Sequence, residues 1–254
     1  MFTKSEANLI KSLHDKKYRQ NTSLFLVEGE KSVAETLASD FVIEKILATK
    51  PFYTKYSKLI KDKKIVCEIV EQGEIENVST LESNDSVMAI VKQKKYQIPT
   101  VENDEIVLVL DNIRDPGNFG TIIRIADWYG IKKIIASIGT VDLYNPKVIS
   151  ATKGSFTRVQ ISYANLNDFL TKTKVPILGA FLEGENVHKF NFPKNGILIV
   201  GNESKGISLE IKNLVTKKIT IPSFGQTESL NVAISTAILI DNWKRNSPRK
   251  ILST

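Results

Sequence analysis

Cysteine is almost absent. Cys67 stands alone among 254 residues, so no intrachain disulfide can form. The two histidines, His14 and His188, lie far apart, which leaves no Cys/His zinc constellation, and no metal is expected. No apolar run reaches the roughly 18 residues of a membrane span. The opening stretch MFTKSEANLIKSLHDKKYRQ lacks the apolar core of a signal peptide. A chain with these absences is expected in a reducing cytoplasm. Neither G-x-x-x-x-G-K-[ST] nor G-x-G-x-x-G occurs, which disfavours nucleoside triphosphates and dinucleotides as ligands. Internal repeats and low-complexity tracts are missing too.

What remains is ordinary globular composition, 42% hydrophobic and 25% charged. The length allows one large domain or two modest ones. The formal net charge is +7 and the isoelectric point is about 9.2. That surplus fits a polyanionic partner such as nucleic acid, but equally a lysine-rich solubilising surface.

One shift in composition marks a boundary. VKQKKYQIPTVENDE, residues 91–105, is polar, carries a proline and has no long apolar run. We expect a first domain at 1–95, a linker at 96–104 and a second domain at 105–254. In the first, SLFLVEG, FVIEKILAT, KIVCEIV and SVMAIVKQ look like strands, and EKSVAETLA has helical spacing: a small α/β domain. In the second, EIVLVL is a continuous apolar run, as in a parallel strand buried on both faces. KKIIAS, VPILGAFL, GILIVG and KKITIP follow, each leading into a loop and usually a helix. Strand–loop–helix repetition implies a parallel sheet covered by helices, with ligands beyond the carboxyl ends of the strands.

Three post-strand loops therefore matter. In LDNIRDPGNFGTIIRIADWYG, Asp115 to Asn118 read as turn chemistry. Gly120 and Arg124 stand at i and i+4, which points the arginine back toward the loop. In GILIVGNESKGISLEI, two glycines bracket Glu203 and suit a backbone that wraps a small polar ligand, or a plain strand-to-helix turn. In ITIPSFGQTESLNVAISTAILIDNW, Pro222 stops a strand and Ser229 reads as a helix N-cap or first-turn residue. The helix that follows is apolar nearly all round, so it is expected to be buried, with small residues at Ala233, Ser235 and Ala237 allowing close approach.

Together the loops resemble the three signature motifs of the SpoU, or TrmH, class of RNA ribose 2′-O-methyltransferases. The match runs through Asn118, Gly120 and Arg124, then Gly201, Glu203 and Gly206, then Ile221, Pro222, Gly225 and Ser229 to Val232. It covers about residues 105 to 243, and KKYRQNTSLFLVEGEKSV is similar to the family's substrate-binding domain of the ribosomal protein L30e type. Ser204 and Ser223 depart from the usual glycine and methionine.

The resemblance implies a parallel α/β domain tied in a trefoil knot, a homodimer, and S-adenosylmethionine held beside RNA. It places Arg124, Asn118 and Glu203 at the chemistry. Gly201, Ile221, Leu230, Ala180, Ser229 and Asn231 fall to the cofactor. Arg124 would stabilise a developing alkoxide, since a guanidinium stays charged in proteins, while Glu203 and Asn118 would orient either Arg124 or the loop. Among residues 1–98 there are 16 Lys and Arg against 14 Asp and Glu, so a basic patch there must come from clustering. Lys16, Lys17, Tyr18 and Arg19 form one cluster, with Arg19 and Lys17 as the expected RNA contacts; a solvated helix end explains the cluster equally well. The alternative to an enzyme is a non-catalytic RNA-binding or ribosome-assembly protein on the same fold.

Overall fold

The computed structural model describes residues 3–79, 86–102 and 104–245. Residues 1–2 and 246–254, at the ends of the expected domains, and position 103 of the expected linker lie outside it. Two compact units emerge, Met1–Lys95 with Asp142–Thr157, and Tyr96–Val141 with Arg158–Thr254.

The first unit opens with helices α1 (Lys4–Ser12) and α2 (Lys16–Thr22). Strand β1 (Leu24–Glu28), helix α3 (Glu30–Ala38), strand β2 (Ile43–Ala48) and helix α4 (Lys50–Asp62) follow. Strand β3 (Cys67–Ile69), helix α5 (Gln72–Glu76) and strand β4 (Val87–Lys92) complete the run. The strands form a sheet in the order β1-β4-β2-β3, with only β2 and β3 parallel.

The second unit begins with β5 (Ile106–Asp111), helix α6 (Pro116–Trp128) and β6 (Lys133–Ser137). The chain then carries helix α7 (Pro146–Thr152) before β7 (Gln160–Ala164), α8 (Leu166–Thr171), β8 (Ile177–Asn186), β9 (Gly196–Gly201), α9 (Leu209–Lys212), β10 (Lys217–Thr220) and α10 (Val232–Arg245). The six strands lie in the order β10-β8-β9-β5-β6-β7, and every pairing is parallel. The parallel α/β sheet expected from the sequence is what forms. Every residue of β5 is buried, which is why its run is continuously apolar.

Two expectations need correcting. The segment Asp142–Thr157, expected in the second domain, belongs to the first unit. Tyr144 and Phe156 pack on Phe25, with centroids 4.4 Å and 5.9 Å away, and Phe156 also meets Phe41 at 5.4 Å. Residues of the expected linker are also built in: the Gln97 carbonyl accepts from Ser162 Oγ and Gln160 Nε2. Helix α10 is not enclosed all round within one chain. Ala233, Thr236, Leu239, Ile240 and Trp243 are buried, whereas Ile234 is 54% exposed.

Candidate active site

In the strand order, β5 leads to β6 and β7 on one side, while β9 and β8 lie on the other. The reversal falls between β5 and β9, where crevices open at the carboxyl ends of strands. Asp111 ends β5 directly opposite Gly201, which ends β9.

From Gly201 the chain makes a tight return. Asn202 and Gly206 exchange both backbone hydrogen bonds, at 3.0 Å and 2.9 Å. Asn202 Oδ1 accepts from the amides of Ser204 and Lys205, closing a local turn. A Cβ on Gly201 would lie 2.2 Å from backbone atoms of Gly206 and Ile207, so the loop's own return requires glycine there. Gly206 needs its freedom for another reason, a φ of +66°.

Glu203 stands at the tip of this return and reaches the start of α6. Its Oε1 accepts from the Asp115 amide and Asn118 Nδ2, both at 3.2 Å. Its Oε2 accepts from the Arg114 amide at 3.4 Å and Asn202 Nδ2 at 3.2 Å. Asn118 Oδ1 in turn accepts from Asn231 Nδ2 at 2.9 Å. Asn231 Oδ1 then accepts from the amides of Ala233 and Ile234, which caps α10. All three loops are thereby joined through one side chain each, and every amide in the relay has a fixed orientation.

Local chemistry explains these placements. Asp115 to Asn118 are not a turn but a helix start: Asp115 Oδ1 accepts from the Asn118 amide at 2.7 Å, and Pro116 fills the first helical position. The cap of α10 is Asn231, while Ser229 sits in the exposed loop before it. Arg124 is exposed on the face of α6 that also carries Gly117, Thr121 and Trp128. It has no hydrogen bond or ion pair among the described residues, and neither Glu203 nor Asn118 bonds to it.

The expected cofactor residues divide. Ala180, Gly201 and Ile221 are half-buried where the adjacent strands β8, β9 and β10 end or break. Between Gly179 and Glu185, β8 leaves its partner, because Gly179 pairs Lys218 and Glu185 already pairs Ile219. Leu230 and Ser229 are exposed in the loop that follows β10. Of the expected RNA contacts, Lys17 is exposed, but Arg19 is not available. Its side chain is 2% exposed, bonded to Asp142 at 2.7 Å and to the carbonyls of Leu13 and His14. A buried, paired guanidinium holds the first unit together instead.

The profile of the SpoU rRNA Methylase family matches residues 105–241, more than half of the chain, and that of an MRM3-like substrate binding domain matches residues 6–89. The chain belongs to the SpoU rRNA methylase family. Among curated members, the 23S rRNA guanosine 2′-O-methyltransferase RlmP of Bacillus subtilis is 30% identical, over 91% of this chain and 92% of its own. A solved RNA methyltransferase structure of the TrmH family from Porphyromonas gingivalis superposes with a TM-score of 0.87 at 33% identity, covering 97% of this chain and all of the other. An AdoMet-bound rRNA methyltransferase from Sinorhizobium meliloti gives a TM-score of 0.87 at 28% identity, with 96% of each chain covered.

Two residues of this SpoU site escape a motif reading. Asn202 Nδ2 donates to the Asn112 carbonyl at 2.8 Å, tying the return loop to the end of β5. The buried Asp111 accepts from the Ser208 amide at 2.7 Å, ahead of α9. The signal for Asp111 was a carboxylate closing an otherwise apolar strand; Asn202 offered none beyond its type.

Proposed function

We propose that the chain transfers the methyl group of S-adenosylmethionine to a ribose 2′-hydroxyl of ribosomal RNA, acting as a cytoplasmic homodimer. The observation that carries this reading is the relay from Glu203 through Asn118 to Asn231, which gathers all three loops at the start of α6, the helix that carries the unbonded Arg124. Ribosomal rather than transfer RNA is favoured by the relative RlmP, which aligns over nearly the whole chain.

The residues fit the cofactor. The half-buried residues Ala180, Gly201 and Ile221 come from the ends or breaks of three neighbouring strands. Such a cradle suits an uncharged adenosine. Leu230, Ser229 and the Asn231 backbone would close over it. When bound, the cofactor supplies an electrophilic methyl on sulfonium.

The protein's own part is positioning and charge. A ribose hydroxyl is a poor nucleophile until its proton leaves. A guanidinium is already protonated in proteins and has no acceptor site for that proton, so water or an RNA phosphate accepts it. The guanidinium instead stabilises charge growing on the 2′-oxygen, an effect worth about 3 kcal/mol. Asn118 and Glu203 hold the start of α6, and with it the helix that presents Arg124.

A homodimer is supported by apolar surface. Trp128 on α6 is 84% exposed, and Leu230 and Ile234 beside and within α10 are about half exposed, although α6 and α10 pack on each other. The decisive experiment follows transfer of tritiated methyl to unmodified 23S rRNA. We expect Arg124→Ala to retain cofactor binding by calorimetry and to lose about 10²-fold in turnover. Equal turnover in both proteins would remove the assigned role. No incorporation and no cofactor-dependent thermal shift in the wild type would favour the non-catalytic RNA-binding alternative.

A further inference from the structure

Helix α4 carries a basic surface that the site above does not use. Its inner side is fixed by the buried Phe52 and Ile60. At 100° per residue the opposite side lines up Lys50, Thr54, Lys58 and Lys61, all exposed. This row runs about 16 Å along the helix at 1.5 Å per residue. The amines of Lys50, Lys58 and Lys61 make no hydrogen bond or ion pair among the described residues. Neighbouring lysines are occupied: Lys55 pairs with Glu30 at 2.6 Å, and Lys63 Nζ donates to the Ser39 carbonyl.

Charge counting separates this row from an ordinary solvated face. Residues 50–64 hold six lysines and one acid, Asp62. The rest of residues 1–95 holds ten basic and thirteen acidic residues. The positive surplus of the whole segment therefore sits on α4 and its end, and everything around it is net acidic. A helix built only for solubility intersperses both signs at i,i+4 spacing; on α4 the outer face has one acid, Asp62 at the helix end and four residues past Lys58, against Lys50, Lys58 and Lys61. Lys50 also borders an open groove of about 640 Å³ with Gly29, Thr49 and Gln72. Gly29 and Thr49 begin α3 and α4 without side-chain caps, which adds positive potential at that end. The two acids at the groove are engaged, Glu30 by Lys55 and Glu71 in its own capping box.

We propose that Lys50, Lys58 and Lys61 form the surface on which the N-terminal unit grips the phosphate backbone of the RNA substrate. The inference rests on the RNA methyltransferase reading. Lysine meets phosphate as a point charge, and phosphate contacts position a nucleic acid without reading its sequence. The row thus sets affinity and placement, and leaves target choice elsewhere.

The test uses the full chain with Lys50, Lys58 and Lys61 replaced by Gln, and an unmodified 23S rRNA transcript as probe. Filter binding between 50 and 200 mM salt gives the salt slope, and tritiated methyl transfer gives KM and kcat. Each phosphate contact contributes about 0.7 to 0.9 to the slope, so three should make it shallower by about two to three. KM for the transcript should rise at least about tenfold, with kcat within about twofold of wild type. A control with Lys172, Lys174 and Lys189 replaced by Gln loses the same charge from exposed positions of the second unit and should change little. An unchanged slope and KM, or an equal loss in the control, would overturn the assignment. Tight, salt-sensitive binding by a wild type that transfers no methyl would instead defeat the enzymatic reading and leave the row standing.

Discussion

At the scale of single residues, the site is a problem of satisfying donors and acceptors in one direction. Glu203 accepts four times and meets no cation among the described residues, so its charge is balanced by amides and carboxamides. Such charge-assisted bonds are stronger than neutral ones, and they fasten one loop to the next. Glu203→Gln would turn an amide donor toward one pair of existing donors. Asn118→Ala would leave Asn231 Nδ2 without its acceptor. Both changes damage the same relay, so the losses should overlap. We expect each variant to lower kcat/KM by tenfold or more, and the double variant to fall short of the summed loss by about 0.5–3 kcal/mol. Strictly additive losses would show that the two side chains act independently. Gly201 teaches a different lesson at this scale. Its spacing reads as backbone left bare for a ligand, yet the nearest atoms to its missing Cβ belong to Gly206 and Ile207.

At the scale of elements, legibility followed burial. Strands β5, β6 and β9 and the start of β8 announce themselves as apolar runs because a parallel strand there is covered on both faces, whereas the edge strand β10, KKIT, buries only Ile219. Strand β7, QISYA, is too short and mixed to stand out, and its Ser162 is buried only because Gln97 accepts its hydrogen bond. Helix α4 hid for the opposite reason: Phe52 and Ile60 are its only buried residues, and lysines mask its period. Helix α10 shows the limit of composition. Its sequence is apolar around most of its circumference, but burial within one chain follows Ala233, Thr236, Leu239, Ile240 and Trp243, with the Trp243 indole donating to the Pro193 carbonyl at 2.7 Å. Ala233 sits one position past the first residue of this helix and is 3% exposed. The trefoil-knot expectation places that buried face in a loop of the chain with no room to spare. Ala233→Leu should then cost about 1–3 kcal/mol and reduce the folded yield. Chemical denaturation measures this directly, and undiminished stability would mean that the face is loosely covered.

For the whole molecule, the sequence located two α/β units but not the excursion between β6 and β7. Nothing in DLYNPKVISATKGSFT distinguishes a helix covering the parallel sheet from one that joins the first unit; the partners of Tyr144 and Phe156 are set by aromatic residues more than a hundred positions away. Assembly poses the same difficulty, because a surface that a second copy covers looks like core in the sequence and like exposed apolar area in one chain. Trp128, Leu230 and Ile234 have that double character. Each is large and apolar, and each belongs to or adjoins a helix of the site. Left in water, the exposed half of Ile234 forgoes roughly 1 kcal/mol in burial, and Trp128, 84% exposed, forgoes more. If a second copy covers them, a charge at that surface should separate the copies without unfolding either. Trp128→Glu combined with Ile234→Lys should therefore sediment as a monomer while keeping the wild-type melting profile at low concentration. Since Arg124 lies on the same face of α6 as Trp128, the monomer should also lose methyl transfer. A double variant that still sediments as a dimer would place the contact between copies elsewhere, and a fully active monomer would show that each chain completes its own site.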